Sequence, residues 1–562
     1  MAEGTSGKGG ALPGGSRPLH ILLRRVAERG PANLRFWLLA LVIGIASGAA
    51  ALGFRLAISA LQGWAYGTDD PSRLHSYAET LAWYWIVLIP VLGGLAVGLI
   101  LDRFTPDGRV RAVADVIEGA ALNEGRVEKR EGIASALASL ITLSTGGSTG
   151  REGPVVHMAG LISTWVSERI RADGITGRDL LGCAVAAAVS ASFNAPIAGT
   201  LFALEVILRH FAMHAFAPIV IASAAGTVVS RLEFGNVTEF SLPEANVLEF
   251  YVELPAFLML GIICGIVAAL VMRAIFWADD LGNRFQTATG LPRYLRPAVA
   301  GLMLGLLAIW FPHIIGVGYE TTSAALTGNL LLWEAVVFTV LKAVALAITM
   351  AGRMGGGVFS PSLMLGALTG LAFGLIATPV FPEVSGSETL YALAGMGAVA
   401  AAVLGAPIST TLIVFELTGD WQTGLAVMVA VSLSTALASK LVDRSFFLTQ
   451  LERRDIHMAA GPQAYLLSVL RCGQTMRSLG QPGCPDSEGC GDLVARGLWL
   501  REDSTLETAL RLFENTEGEG AYLPVMTGDP AADGRVCGAL FYVDALAAYN
   551  RALAETAAEE HS

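Results

Sequence analysis

The chain has 562 residues, of which 53% are hydrophobic and 15% charged, against roughly 25% charged in an average soluble domain. Glycine, at 64 residues, is in excess of the roughly 7% usual in proteins, and the excess lies in apolar segments rather than in a Gly-X-Y repeat, which excludes a collagen-like or a disordered chain. Between successive charged residues stand the uncharged runs Phe36–Phe54, Thr80–Leu101, Gly132–Gly150, Leu180–Leu204, His210–Ser230, Leu254–Met272, Pro297–Tyr319, Met354–Pro382, Thr389–Phe415 and Trp421–Ser439. A bilayer-spanning helix needs about 20 apolar residues, so the sequence predicts an all-α polytopic membrane protein.

The net charge is −11, and residues 461–562, with 7 Arg and 15 Asp/Glu, carry −8 of it. An acidic tail and the lack of a basic stripe with interleaved aromatics exclude a nucleic-acid partner. The 6 cysteines show no C-x2-C pairing, so neither a zinc site nor a disulfide framework is expected. Before the first run, Arg24, Arg25, Arg29 and Arg35 stand in a polar arm that lacks the apolar core of a signal peptide. By the positive-inside rule that arm is expected in the cytoplasm and the first run as a retained membrane helix.

Composition divides the chain into a disordered arm (1–33), a membrane body (34–448), a linker (449–465), a folded cytoplasmic domain (466–552) and an acidic tail (553–562). In the folded domain the segment Leu498–Leu500 precedes Asp503 and Ser504, either of which can cap a helix through Leu506, Ala509, Leu510 and Phe513. Strand-like Ala521–Met526 follows, then a polar turn, a second strand Val536–Val543, and a helix from Asp544. This β-α-β-β-α order resembles a CBS domain. Such domains often contact ribose at the position of Asp544, but the hydroxyl usual three residues earlier is replaced by Phe541, so a subunit contact is the better expectation than a nucleotide site.

The body contains an internal repeat. Phe193–Glu205 (FNAPIAGTLFALE) matches Leu404–Glu416 (LGAPISTTLIVFE) with Ala, Pro, Ile, Thr, Leu and the terminal Glu identical in register. Upstream of each copy is a glycine-rich break with a proline four residues on: Gly150-Arg151-Glu152-Gly153-Pro154 and Gly357-Val358-Phe359-Ser360-Pro361. Proline suits the first turn of a helix, where its missing N–H is not needed. Each break therefore starts a half-helix, whose free N–H groups and dipole favour an anion. Irregular backbone at membrane depth is tolerated only where it is buried in protein or lines a cavity. Paired breaks in two homologous halves mark a transport fold, although any single Gly-Pro break also permits a simple kink or close helix packing.

The two pentapeptides, the repeated segment and the CBS-like tail together resemble the CLC family of chloride channels and chloride/proton antiporters. The resemblance implies a CLC-type inverted-repeat helical fold with a small α/β cytoplasmic domain, and a homodimer with one anion pathway per subunit. It implies no cofactor beyond the transported chloride, and a multi-pass plasma (inner) membrane location with cytoplasmic termini. By the same resemblance Glu152 is the gating glutamate, whose carboxylate occupies an anion site and leaves it on protonation. Gly150, Arg151 and Gly153 flank it, and Gly357, Val358 and Phe359 form a second filter segment with the N–H groups of Val358 and Phe359 facing the anion. A lone carboxylate at a midplane break is costly and fits that role.

Three positions depart from the family pattern. The first filter segment, usually Gly-Ser-Gly-x-Pro, has its best match at Val110–Ala114, leaving Arg111 and Ala112 as candidates; Arg111 either supplies positive charge there or is a loop arginine. Phe447 stands where the family places an inner tyrosine, so a hydroxyl is lost. Val206 follows Glu205 where the family's antiporters carry a proton-transfer glutamate, and Glu205 itself, with its repeat mate Glu416, reads as structural. Channel-like or weakly proton-coupled chloride transport is the leading expectation, with a chloride/proton antiporter or preference for fluoride or nitrate as alternatives. No P-loop, nucleophile elbow or metal signature suggests an enzyme or pump. His157, His210 and His214 lack a third ligand and read as satisfied polar groups.

Overall fold

The computed structural model describes residues 32–560 apart from short stretches, the longest being 241–249, 457–465 and 515–521. The expected arm lies almost wholly outside the described residues. Among these, seven helices are long and apolar enough to cross a membrane. The first half of the body comprises α1 (Ala32–Tyr66), α2 (Leu74–Thr80), α3 (Trp83–Phe104), α4 (Val113–Leu122), α5 (Lys129–Ser144), α6 (Glu152–Ile170), α7 (Gly174–Phe193), α8 (Pro196–Phe202) and α9 (Met213–Phe234). The second comprises α10 (Phe250–Thr289), α11 (Arg296–Trp310), α12 (Tyr319–Leu326), α13 (Leu332–Ala351), α14 (Phe359–Val380), α15 (Glu388–Leu404), α16 (Pro407–Thr418), α17 (Trp421–Leu441) and α18 (Phe446–Glu452).

Two of the uncharged runs are pairs of helices rather than single spans. Leu180–Leu204 breaks at Asn194 (φ 57°) between α7 and α8, and Thr389–Phe415 breaks at Gly405 (φ 71°) between α15 and α16. The left-handed residue ends one helix and the following proline opens the next. Because Asn194 and Gly405 are equivalent in the repeat, the duplication extends to the backbone. Helix α13 was not among the runs at all, since Lys342 and Glu334 divide its sequence.

Glu205 and Glu416 tie the halves together reciprocally. Glu416 accepts from the N–H groups of Ile197 (3.0 Å) and Ala198 (2.7 Å) at the start of α8. Glu205 accepts from Ile408 N–H (2.9 Å) and Ser409 N–H (2.8 Å) at the start of α16. A carboxylate at a helix N-terminus satisfies orphan donors and complements the dipole. Glu205 lies in a six-residue π-helical stretch, Ala203–Leu208, that continues α8.

After the body, a sheet of order β1-β4-β3-β2 joins β1 (Arg477–Ser478), β2 (Leu500–Arg501), β3 (Tyr522–Thr527) and β4 (Arg535–Phe541). Strands β3 and β4 pair antiparallel and β2 lies parallel to β3. Helices α19 (Ser487–Ala495), α20 (Leu506–Glu514) and α21 (Tyr542–Glu560) accompany the sheet. Its core includes Leu500, Leu506, Ala509, Phe513, Leu523, Val525 and Leu540, drawn from one helix and three strands. Helix α21 runs on to Glu560, through the stretch read as a tail.

Candidate functional site

Helix α5 rises into the body, and the chain turns through Gly146, Gly147 and Gly150 before α6 starts at Glu152. In the second half α13 ends at Ala351, and Gly355, Gly356 and Gly357 lead to α14, which starts at Phe359. The two turns pair directly. Gly150 N–H donates to Gly357 O (2.7 Å) and Gly357 N–H to Gly150 O (2.8 Å), a two-residue antiparallel bridge. Thr149 Oγ1 donates to Gly357 O (2.9 Å), and Thr142 Oγ1 on α5 accepts from Gly355 N–H (3.0 Å). These bonds satisfy backbone groups that hydrocarbon would leave unpaired, and they hold the starts of α6 and α14 against each other.

Glu152 is 1% exposed, and its Oε1 accepts from Ser360 Oγ at 2.6 Å in the first turn of α14. The carboxylate of one half-helix start thus sits at the start of the other. Arg151, itself buried, brings Nε to 3.9 Å from Glu152 Oε1, donates to Ser192 O (3.2 Å), and stacks its guanidinium 5.2 Å from the ring centroid of Tyr319. Gly153 meets Gly357 so closely that a Cβ on Gly153 would stand 3.1 Å from the Gly357 Cα. Phe359 packs between Phe193 (4.8 Å) and Phe202 (5.7 Å), ring centroid to centroid, so the repeat segment braces the second break.

Below the breaks a cavity of about 90 Å³ is lined at its inner end by Gly356, Gly357 and Val358 and at its mouth by Arg109, Arg353, Arg453 and Arg454, with Asp279 the one acid. Phe446 and Phe447 form one wall. Phe446 stacks on Phe276 at 5.2 Å and on Phe447 edge-on at 5.8 Å, giving that wall an aromatic lining without a hydroxyl. Three of the four arginines are ion-paired, Arg109 with Asp279 (3.5 Å), Arg454 with Asp115 (2.8 Å) and Arg453 with Asp280, while Arg353 donates to Asp107 O (3.0 Å) and Asn283 Oδ1 (3.2 Å). The rim is a partly neutralised positive one, which still favours small anions over cations.

The proposed first filter segment does not supply free donors. The Arg111 guanidinium is held by Glu131 (2.6 Å), Asp107 (3.1 Å) and Asp115 (3.6 Å), and the Ala112 N–H donates to Asp115 Oδ2 (2.8 Å). Asp115 caps α4, so a carboxylate takes the place an anion would need. Arg111 is accordingly a structural arginine of the loop before α4, and Ala112 contributes only lining to the cavity.

Several residues of the site escaped the sequence reading. Ser360, between Phe359 and Pro361, stands three residues from Gly357 as Gly153 does from Gly150, and nothing in that spacing marks its hydroxyl as the partner of Glu152. Tyr319 and Lys342 lie far from both motifs in sequence. Lys342, fully buried on α13, donates to Gly316 O (2.9 Å) and Ile314 O (3.3 Å), which fixes the loop leading to Tyr319. Val206 is buried in the π-helical stretch, 5% exposed. In the C-terminal domain Asp544 accepts from Arg477 Nε (2.6 Å) and Nη2 (3.1 Å), so its carboxylate is engaged by a neighbouring strand. Among the described residues no group of three or more His, Cys, Asp or Glu could hold a metal ion.

The profile of the family described as voltage gated chloride channel matches residues 93–439. A ClcB-like chloride channel protein of Ralstonia nicotianae is 30% identical over 394 residues, covering 69% of this chain and 90% of that one. The chloride channel protein CLC-f of Arabidopsis thaliana is 29% identical over 439 residues, 73% of this chain, which spans only 54% of that relative's length. Among solved structures, a slow cyanobacterial Cl⁻/H⁺ antiporter superposes with a TM-score of 0.66 at 22% identity, covering 75% of this chain and 98% of that one. That last likeness is one of fold.

Proposed function

This chain belongs to the voltage-gated chloride channel family, and we propose that it carries chloride across the membrane past two half-helix starts, with the Glu152 carboxylate as gate. The observation that carries this reading is the bond from Ser360 Oγ to Glu152 Oε1 (2.6 Å), which seats the carboxylate on the opposite half-helix start. An anion needs the same positive helix ends, so carboxylate and chloride compete for one place. Protonation removes that competition and frees the site. The cationic cavity beneath, lined by Val358 and Gly357 as well as four arginines, is the approach from the inner side.

Conduction is channel-like or only weakly coupled to protons. Val206 offers no proton acceptor where the family's antiporters carry a glutamate, and Phe447 offers no hydroxyl to hold an anion at the inner end. The protein acts as a homodimer with one pathway per subunit, a reading supported by Ile197 and Ile408, which are 54% and 47% exposed at the equivalent helix starts of the two halves. It resides in the plasma membrane with both termini in the cytoplasm. Lys129, Arg130, Arg169 and Arg171 gather at the ends of α5 and α6 on one side, as the positive-inside rule requires of the cytoplasmic face.

Chloride efflux from liposomes reconstituted with the purified chain tests the reading. Efflux dependent on the protein, competed by other halides, is the expected result. Liposomes that release chloride no faster than empty ones contradict it.

A further inference from the structure

On the outer face of the body, away from the breaks, a groove of about 800 Å³ runs between α10, α11 and α13. Its walls are apolar, with Leu270, Trp277, Met303 and Val340 all 49% exposed or more. Gly282 and Gly352 line it where its neighbours pack closely: a Cβ on Gly282 would stand 2.6 Å from Arg296 Nη2, and one on Gly352 2.2 Å from the Ala300 Cβ. Along α13 the lining runs from Thr339 to Gly352, about 20 Å at the helical rise, or roughly two thirds of the hydrocarbon thickness of a bilayer. Helices α10 and α13 are both among the membrane-length helices, so the medium facing this groove is lipid.

The groove has one polar end. Arg296 closes it there, with its guanidinium spent on Ala351 O (2.7 Å), Asn283 Oδ1 (2.6 Å) and Asp279 Oδ1 (2.9 Å). Arg284 stands beyond it on α10, beside the lining residues Leu281 and Phe285. It is exposed and makes no hydrogen bond or ion pair among the described residues. A free cation at the rim of an apolar slot, with Trp277 (67% exposed) a few turns along the same helix, is the charge pattern of a membrane interface.

We propose that this groove binds one acyl chain of an anionic phospholipid, with the head-group phosphate on Arg284. The chain lies against α13 and α11, and the phosphate supplies the counter-charge that the protein does not give Arg284. Helices α10 and α13 turn their other faces, through Ile275 and Met350, to the cationic cavity, so the bound lipid backs one wall of that cavity. The inference does not depend on which ion the protein carries.

Native mass spectrometry of the full chain, mixed in turn with phosphatidylglycerol, phosphatidylcholine and palmitate, tests it. One arginine at an anionic surface is worth about fivefold in affinity, so one phosphatidylglycerol per subunit should be retained about fivefold more tightly than zwitterionic phosphatidylcholine, and more tightly than palmitate, which carries a carboxylate and no phosphate. Arg284→Gln should erase the preference over phosphatidylcholine, and Val344→Trp, which fills the groove, should remove retention of both phospholipids. Equal retention of all three lipids by the unaltered protein overturns the proposal. So does an unchanged phosphatidylglycerol preference in Arg284→Gln, a surface change that should leave folding intact if the tryptophan variant does not fold.

Discussion

Gly150 and Gly357, 207 positions apart in the chain, exchange both of their backbone hydrogen bonds, at 2.7 and 2.8 Å. The bridge makes the two half-helix starts a single unit, and it leaves no room for side chains. Gly356 beside it has φ 137°, and a Cβ there would stand 2.1 Å from Thr149 Oγ1. Gly356→Ala should therefore destabilise the protein by about 2 kcal/mol or more through backbone strain and overpacking. Gly491→Ala, inside α19 where a Cβ meets nothing within 4 Å, should not destabilise and by helix propensity should gain up to about 1 kcal/mol. Thermal unfolding in detergent distinguishes the two.

Ser360 Oγ donates to Glu152 Oε1 at 2.6 Å, so under the proposed gating it holds the carboxylate in place. A hydrogen bond to a charged group contributes about 1.5 kcal/mol or more, so Ser360→Ala should raise chloride flux near neutral pH roughly tenfold. Stopped-flow efflux at matched protein density reads it. Unchanged flux would mean that release of Glu152 does not limit transport.

Glu205 and Glu416 cap helices across the repeat. Losing an N-terminal cap costs about 1 kcal/mol, so Glu205→Gln and Glu416→Gln should each lower stability by about that much or more, since each acid serves two backbone donors. Both variants should keep the ratio of proton to chloride movement unchanged. A loss of proton movement in Glu205→Gln alone would assign that residue a transport role in place of the structural one.

On the side of the membrane away from the cationic cavity, His75 lies 3.1 Å from Glu320 and its ring stands 4.3 Å from that of His313. Burial, then His313, holds the His75 imidazole down from 6.5 to about 4, with Glu320 pulling the other way. The unfolded chain therefore takes up a proton that the folded one refuses until about pH 4. Stability from this residue is present above about pH 6.5 and is lost as the pH falls toward 4, by on the order of 2 kcal/mol. In His75→Gln the fall in melting temperature between pH 7 and 4.5 should be smaller than in the unaltered protein. An equal fall in both would show that His75 does not sense the acid.

Membrane class, the two breaks and the repeat were legible because each is local: an uncharged run, a Gly-x-x-x-Pro turn, a conserved register of side chains. Helix α13 was not, because buried Lys342 splits its run and mimics a loop. Its amino group is satisfied by two carbonyls 26 and 28 positions away in sequence, which accept from it. Ser360 and Tyr319 were invisible for the same reason: each acts on a residue of the other half, and spacing along the chain carries no record of that. Arg111 and Ala112 are filter candidates by resemblance to the family's first filter segment, with a loop arginine as the other reading of Arg111; its three carboxylate partners agree with the loop reading, and Asp115, just after the pair, accepts from the Ala112 N–H. In the tail, alternation located β3, β4 and α20 to within a residue or two, since a small core needs every apolar position it has.

The most direct test of the account is simultaneous recording of chloride and pH in liposomes carrying the unaltered protein or Glu152→Ala, under an imposed chloride gradient. The account predicts chloride movement with little or no proton movement in the unaltered protein. In Glu152→Ala it predicts faster chloride movement, no longer dependent on pH. Chloride flux that is identical in the two proteins and equally sensitive to pH would contradict Glu152 as the gate, and no flux in either would contradict transport itself.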